Sequence, residues 1–137
     1  MATLRLEIVT PEAKAYSEDV DMVVVPGTEG ELGILPQHVP LLTSIKPGEL
    51  RVLKDGRETF LAVGEGFVEI TQERVVVLTD MALEDTQIDE AAAQAAFEKA
   101  QEALKDQRLS DEEHATVQAS LDRSMAQLQL KRRKSQH

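Results

Sequence analysis

Apolar and polar residues alternate from Thr3 to about Asp80, and apolar residues then recur at helical spacing to the end of the chain, so two architectures follow one another. In the first part Leu4, Leu6 and Ile8 form one period-two run. Val20, Met22 and Val24 form a second, and Phe60, Ala62 and, past the Gly64-Glu65-Gly66 break, Phe67 form a third. Such runs predict half-buried strands. Pro11, Pro26-Gly27, Pro36, Pro40, Pro47-Gly48 and Asp55-Gly56 punctuate them at the spacing of short antiparallel strands. Asp55-Gly56 is the sharpest signal, because a two-residue type I′ hairpin turn needs positive φ at both central residues. Many short strands with no intervening helix predict an antiparallel β-sandwich.

After Asp85 neither Gly nor Pro occurs and Ala becomes frequent. Thr86-Gln87-Ile88-Asp89 has capping-box spacing, and Ser110-Asp111-Glu112-Glu113 repeats it, so a helix is expected to start at each. Ala93, Phe97, Ala100 and Leu104 line one face of the first helix; Val117, Leu121, Ser124 and Leu128 line one face of the second. The short break at Lys105–Leu109 makes the pair an antiparallel hairpin. The expected organisation is α+β, with a sandwich domain at residues 1–85 and a helical hairpin at 86–137. Alanines make the seam thin, since each missing buried CH₂ forgoes about 0.8 kcal/mol. Docking of the hairpin is therefore expected to be reversible.

Charge sharpens this picture. The run Lys131-Arg132-Arg133-Lys134 offsets a preceding body of net −14, for a total of −10. Such a body repels phosphate backbones, and an aromatic share of 3% with no Trp offers no base-stacking platform, so nucleic acid is excluded as a partner. No Cys is present for disulfides or thiolate chemistry. No apolar run approaches the roughly 20 residues that span a bilayer.

No catalytic constellation emerges, and no cofactor or metal is expected. Gly27-Thr28-Glu29-Gly30-Glu31-Leu32-Gly33 lacks the Lys-Ser/Thr and the helix start of a phosphate loop. His38, His114 and His137 have no paired metal-ligand spacing. Acidic clusters such as Asp89-Glu90 and Asp111-Glu112-Glu113 fall at helix starts, where they complement the dipole. The basic tail either complements the C-terminal dipole of the second helix or docks on an acidic partner surface.

The segment Gly30-Glu31-Leu32-Gly33-Ile34-Leu35-Pro36-Gln37-His38-Val39-Pro40-Leu41-Leu42-Thr43 resembles the signature of ATP synthase epsilon subunits. Pro47-Gly48, the Gly64–Ile70 stretch and the switch to an Ala-rich hairpin extend the similarity along the whole chain. The resemblance implies a non-enzymatic rotor subunit that pairs with gamma in the central stalk and rests on the c-ring. Its place would be the cytoplasmic face of a bacterial plasma membrane, touching the membrane only through the complex. It implies that Glu31 faces the c-ring loops, that Thr10, His38 and Thr43 lie toward gamma, and that Leu41 and Leu42 fill an apolar contact there. In the family the hairpin either folds against the sandwich or extends into the catalytic head and blocks hydrolysis. Arg123 and the tip Lys131, Arg132, Arg133 and Lys134 would then meet acidic groups of the alpha and beta subunits.

Some family members bind ATP through Ile/Leu-Asp-x-x-Arg-Ala at the start of the first helix. Here the stretch reads Ile88-Asp89-Glu90-Ala91-Ala92-Ala93, and Ala92 removes the guanidinium, so weak or absent ATP binding is expected. Two other readings compete: a stand-alone β-sandwich binding module with the hairpin as a dimerisation arm, and a nucleotide-sensing regulator. Too few aromatics disfavour the sugar-binding form of the first; Ala92 disfavours the second.

Overall fold

The computed structural model describes residues 2–135, the side chains of residues 134 and 135 excepted. Ten strands come first: β1 (Leu4–Val9), β2 (Lys14–Val20), β3 (Met22–Gly27), β4 (Gly30–Ile34), β5 (Leu41–Ile45), β6 (Gly48–Lys54), β7 (Arg57–Val63), β8 (Gly66–Ile70), β9 (Arg74–Thr79) and β10 (Ala82–Glu84). They hydrogen-bond in the order β10-β7-β6-β3-β5-β8-β9-β1-β2, with β4 on β3. The β3–β5 link is the single pair Gly27–Ile45. There the sheet folds over, and β10-β7-β6-β3-β4 faces β5-β8-β9-β1-β2 around a core that includes Leu6, Ile8, Val23, Leu50, Leu61 and Val77. β1 runs parallel to β9; the other pairs are antiparallel.

Asp55-Gly56 makes the expected tight hairpin, with φ of 52° and 78° and Lys54 opposite Arg57. Two of the predicted runs, however, divide differently. Val20 closes β2 and Met22 opens β3, because the carboxylate of Asp21 turns the chain by accepting the Asp55 amide at 2.9 Å. Val23 and Val25 then enter the core, and Val24 faces the other way. Phe60 and Ala62 alternate as expected but cover the outer face of β7, while Leu61 and Val63 fill the interior.

Helix α1 (Glu90–Leu104) and helix α2 (Asp111–Ser135) form the hairpin, with Ala93, Ala100, Ser124 and Leu128 buried on the predicted seam. The second capping box stands as read: Glu113 N–H donates to Ser110 Oγ and Ser110 N–H to Glu113 Oε1, both at 3.1 Å. The first does not. Asp85–Gln87 form a 3₁₀ turn and Ile88 is buried against the sandwich, so α1 starts after Asp89, whose carboxylate accepts from Ala92 N–H at 3.0 Å. Helix α2 lies on β6 and β7, where Ala62, Ile88, Ala126 and Leu130 make a small buried cluster beside Phe60, Met81 and Leu83.

Candidate functional site

The outer face of β5, β8, β9 and β1 carries an exposed apolar surface. Strand register puts Ser44, Phe67, Leu78 and Val9 in one row across the four strands, and Leu42, Glu69, Val76 and Glu7 in the next. Phe67 is 58% exposed, Leu78 51% and Leu42 67%. A monomer rarely leaves so many large apolar side chains together in water unless something covers them. Thr10 sits at the margin of this face. Its hydroxyl and amide both close a turn on Ala13 O, and with Val9, Pro11 and Leu78 it lines a shallow depression of about 410 Å³.

The loop between β4 and β5 adds to the apolar surface. Leu35 is 56% exposed, Val39 74% and Leu41 42%. Gln37 adopts φ of 66° and its amide donates to Gln72 O at 2.8 Å, which ties the loop to the β8–β9 turn. His38 is half-buried, and its Nδ1 lies 2.7 Å from Val39 O, a contact that puts the proton on Nδ1. Leu42 and Thr43 point to opposite faces of β5, with Thr43 half-buried opposite Val68. Glu31 is exposed in the β3–β4 hairpin opposite Pro26. The tip of that hairpin is fixed to the apolar row, since Thr28 Oγ1 lies 3.0 Å from Ser44 Oγ and Thr28 N–H donates to Ser44 O.

Glu7 is the buried carboxylate of this face, 8% exposed. The Lys14 ammonium, 3.0 Å away, holds it below the ordinary glutamate range against the effect of burial, and the Arg74 guanidinium adds to the depression. The family resemblance points to Leu41 and Leu42, whereas Phe67, Val76 and Leu78 join the exposed apolar surface without having been expected there. The signal was present in Val75-Val76-Val77-Leu78, an unbroken apolar run where a strand with one wetted face would alternate.

On the hairpin, Ile88 and Ala93 are buried, Asp89 caps α1 and Ala92 is exposed. The degenerate ATP stretch is thus occupied by helix capping and packing. The basic residues of α2 are turned back on the protein. Arg123 Nη1 donates to Asp80 Oδ2 at 3.0 Å and Lys131 Nζ to Asp85 O at 2.9 Å. Arg132 Nε reaches Glu90 Oε1 at 3.3 Å, and Arg133 lies 2.7 Å from Glu49 and 4.1 Å from the centre of the Phe60 ring. Lys134 lies outside the described side chains. Among the described residues no cluster of three or more acidic or histidine side chains could hold a metal ion, and no helix is long and apolar enough to cross a membrane.

Residues 3–85 match the family model of the ATP synthase Delta/Epsilon chain β-sandwich domain, and residues 86–132 that of its long α-helix domain. The ATP synthase epsilon chain of Alkalilimnicola ehrlichii is 45% identical over 130 residues, covering 94% of this chain and 92% of that protein. The epsilon chain of Dehalococcoides mccartyi is 42% identical over 137 residues, covering 100% of this chain and 98% of that protein. In fold, the chain is similar to one in the cryo-EM structure of the Euglena gracilis mitochondrial ATP synthase, with a TM-score of 0.75 at 21% identity over 100% of this chain and 83% of that one. A second match lies in the central stalk and c-ring structure of Tetrahymena thermophila mitochondrial ATP synthase, with a TM-score of 0.57 at 12% identity over 96% of each chain.

Proposed function

The chain belongs to the ATP synthase delta/epsilon family and is a non-catalytic subunit of that complex, and on this premise we propose that it is a rotor part of the central stalk, joining gamma to the c-ring and restraining ATP hydrolysis through its helices. The observation that carries the reading is the exposed apolar face of β5, β8 and β9 with the β4–β5 loop at its end. Gamma covers that face: Leu42, Phe67 and Leu78 supply the apolar centre, Leu41 extends it at the loop end of β5, Thr10 and His38 lie at its margin, and Thr43 lies beneath it on the inner side of β5. The Glu31 hairpin, fixed to the same face through Thr28 and Ser44, presents its carboxylate to the c-ring loops. The assembly holds the chain at the cytoplasmic face of a bacterial plasma membrane.

Introducing a charge into the centre of such a face desolvates it without a partner, a loss of the size of an interface hot spot, about 2 kcal/mol or more and so roughly thirtyfold in affinity. Phe67→Glu should therefore weaken binding to purified gamma by at least that factor while the sandwich stays folded; unchanged affinity would overturn the assignment.

For regulation, α1 and α2 leave the sandwich and extend along gamma toward the alpha and beta subunits, where Arg123 and Lys131–Lys134 meet acidic groups. Removal of residues 88–137 should raise the ATPase rate of the assembled complex and leave gamma binding intact, and an unaltered rate counts against this role. ATP does not drive the switch in this chain, because Ala92 carries no cation and Asp89 is committed to the helix cap. Titration of ATP into the isolated subunit should show no micromolar binding.

A further inference from the structure

We propose that Gly64 is the seat of an ionic latch that holds the folded hairpin on the sandwich, and that this latch occupies the cations which the hairpin would otherwise offer to an acidic partner. The first half stands on the geometry alone; the second rests on the regulatory reading above.

Gly64 follows β7, with its amide donating to Met81 O at 3.0 Å. A Cβ on Gly64 would lie 1.8 Å from Asp80 Oδ1 and 2.9 Å from Asp80 Cγ. Its φ is outside the left-handed region, so what an alanine lacks there is room, and the missing side chain is filled by the Asp80 carboxylate. From that seat Asp80 Oδ2 accepts from Arg123 Nη1, and Arg123 Cδ passes 3.5 Å from the position of the absent Cβ. Ten residues further along α2, about 15 Å at helical rise, Arg133 forms the second anchor. Its guanidinium stacks 4.1 Å over Phe60, and Nη2 lies 2.7 Å from Glu49 Oε2, an ion pair without hydrogen-bond alignment. The anchors bracket the small buried patch of Ala126 and Leu130 and add to what its burial contributes.

The Arg123 and Asp80 side chains are 39% and 36% exposed, those of Arg133 and Glu49 40% and 25%. Pairs so open to solvent are individually weak and are screened by salt. The docked state therefore depends on several of them together, and an acidic surface that captures Arg123 or Arg133 competes directly with Asp80 and Glu49. Docking and capture draw on the same charges, so the hairpin cannot be held at both places.

The chain has no Cys, so spin labels at Gln129→Cys on α2 and Glu73→Cys on the sandwich report hairpin position in the full-length protein. Asp80→Asn, Arg123→Gln and Arg133→Gln should each raise the ratio of released to docked hairpin by about two- to fivefold, the weight of one half-exposed pair. Raising salt from about 0.1 to about 1 M, which shortens the Debye length from about 10 to about 3 Å, should release the wild-type hairpin and move the variants less. Gly64→Ala should release it too, yet add little when Asp80 is already Ala, because the atom it would strike is gone; this non-additivity separates a seat for Asp80 from a general need for glycine. If Gly64→Ala fails to fold, the other three variants still decide. An unchanged label distance in those three and across the salt range, with the sandwich folded by circular dichroism, overturns the latch. If instead Asp80→Asn, which leaves the cations of α2 in place, opens the hairpin but leaves the ATPase rate of the assembled complex unchanged, the latch stands and the competition with an acidic partner falls with the regulatory reading.

Discussion

Among the described residues the sandwich buries sixteen apolar side chains in one cluster, whereas the seat of α2 on β6 and β7 buries four, two of them alanines. What crosses the second boundary is largely polar: Arg123 to Asp80, Lys131 to Asp85 O, Arg133 to Glu49, and Gln127 to the sulfur of Met81. The backbone bonds differ in the same sense. Most strands depend on a neighbour distant in sequence, as β1 does on β9, while each helix carries its backbone bonds within itself. The proposed regulatory reading uses this contrast: the sandwich serves as a cooperative platform, and the hairpin as an arm whose release costs few apolar contacts.

The contrast is tested most severely by deleting equivalent side chains in the two regions. Leu61 is 1% exposed at the centre of the sandwich, and Leu61→Ala should cost about 2–5 kcal/mol of global stability in urea unfolding. Leu130 is fully buried as well, but under α2. Leu130→Ala should leave the urea midpoint of the sandwich nearly in place and instead accelerate amide exchange in α1 and α2. A midpoint that falls as far as for Leu61→Ala would mean that the two regions unfold as one, and the comparison would be lost. A finer test lies within the hairpin. Ser110→Ala removes the hydroxyl that accepts Glu113 N–H, so it should lower hairpin stability by about 1 kcal/mol and reduce helicity without altering exchange in β6 or β7.

Much of this division could be read from the chain because each half follows its own period. The Asp55-Gly56 turn, the Ser110 box and the Ala93–Leu104 seam all appear as local chemistry dictates. The errors fall where a tertiary contact reassigns a residue. Thr86 looks like a helix cap, but burial of Ile88 draws the chain inward and delays α1 to Glu90. Phe60 and Ala62 look like sandwich core, but an outer helix gives them a second apolar environment. Gly64 reads as a strand break, and its use becomes visible only once Asp80, sixteen residues away, is seen in the space it vacates. The exposed row of Phe67 and Leu78 was hidden for the opposite reason: alternation assigns apolar residues to an interior, and here they stand on the outer face of the sheet.

Charge offers the gentlest test of the comparison, because the sandwich also uses it, though for trim and not for attachment. Glu7 is depressed below the ordinary value of 4.5 by its hydrogen bond with Lys14 and the field of Arg74, and Glu18 is likewise depressed by Lys54. A carboxyl whose folded pKa is lowered binds fewer protons folded than unfolded. Its contribution is therefore complete above the unfolded value and is lost as pH falls through the folded one. Glu7→Gln should accordingly lower the thermal midpoint slightly at neutral pH and flatten its decline below about pH 4.5, where wild type and variant converge. The spin-label distance of the hairpin should not respond to this substitution, because Glu7 lies on β1, in the layer that α2 does not cover. If wild type and Glu7→Gln lose stability in parallel as acid is added, Glu7 contributes nothing to the platform through its charge. If the hairpin moves with it, the two regions are coupled and are not the separable bodies argued for above.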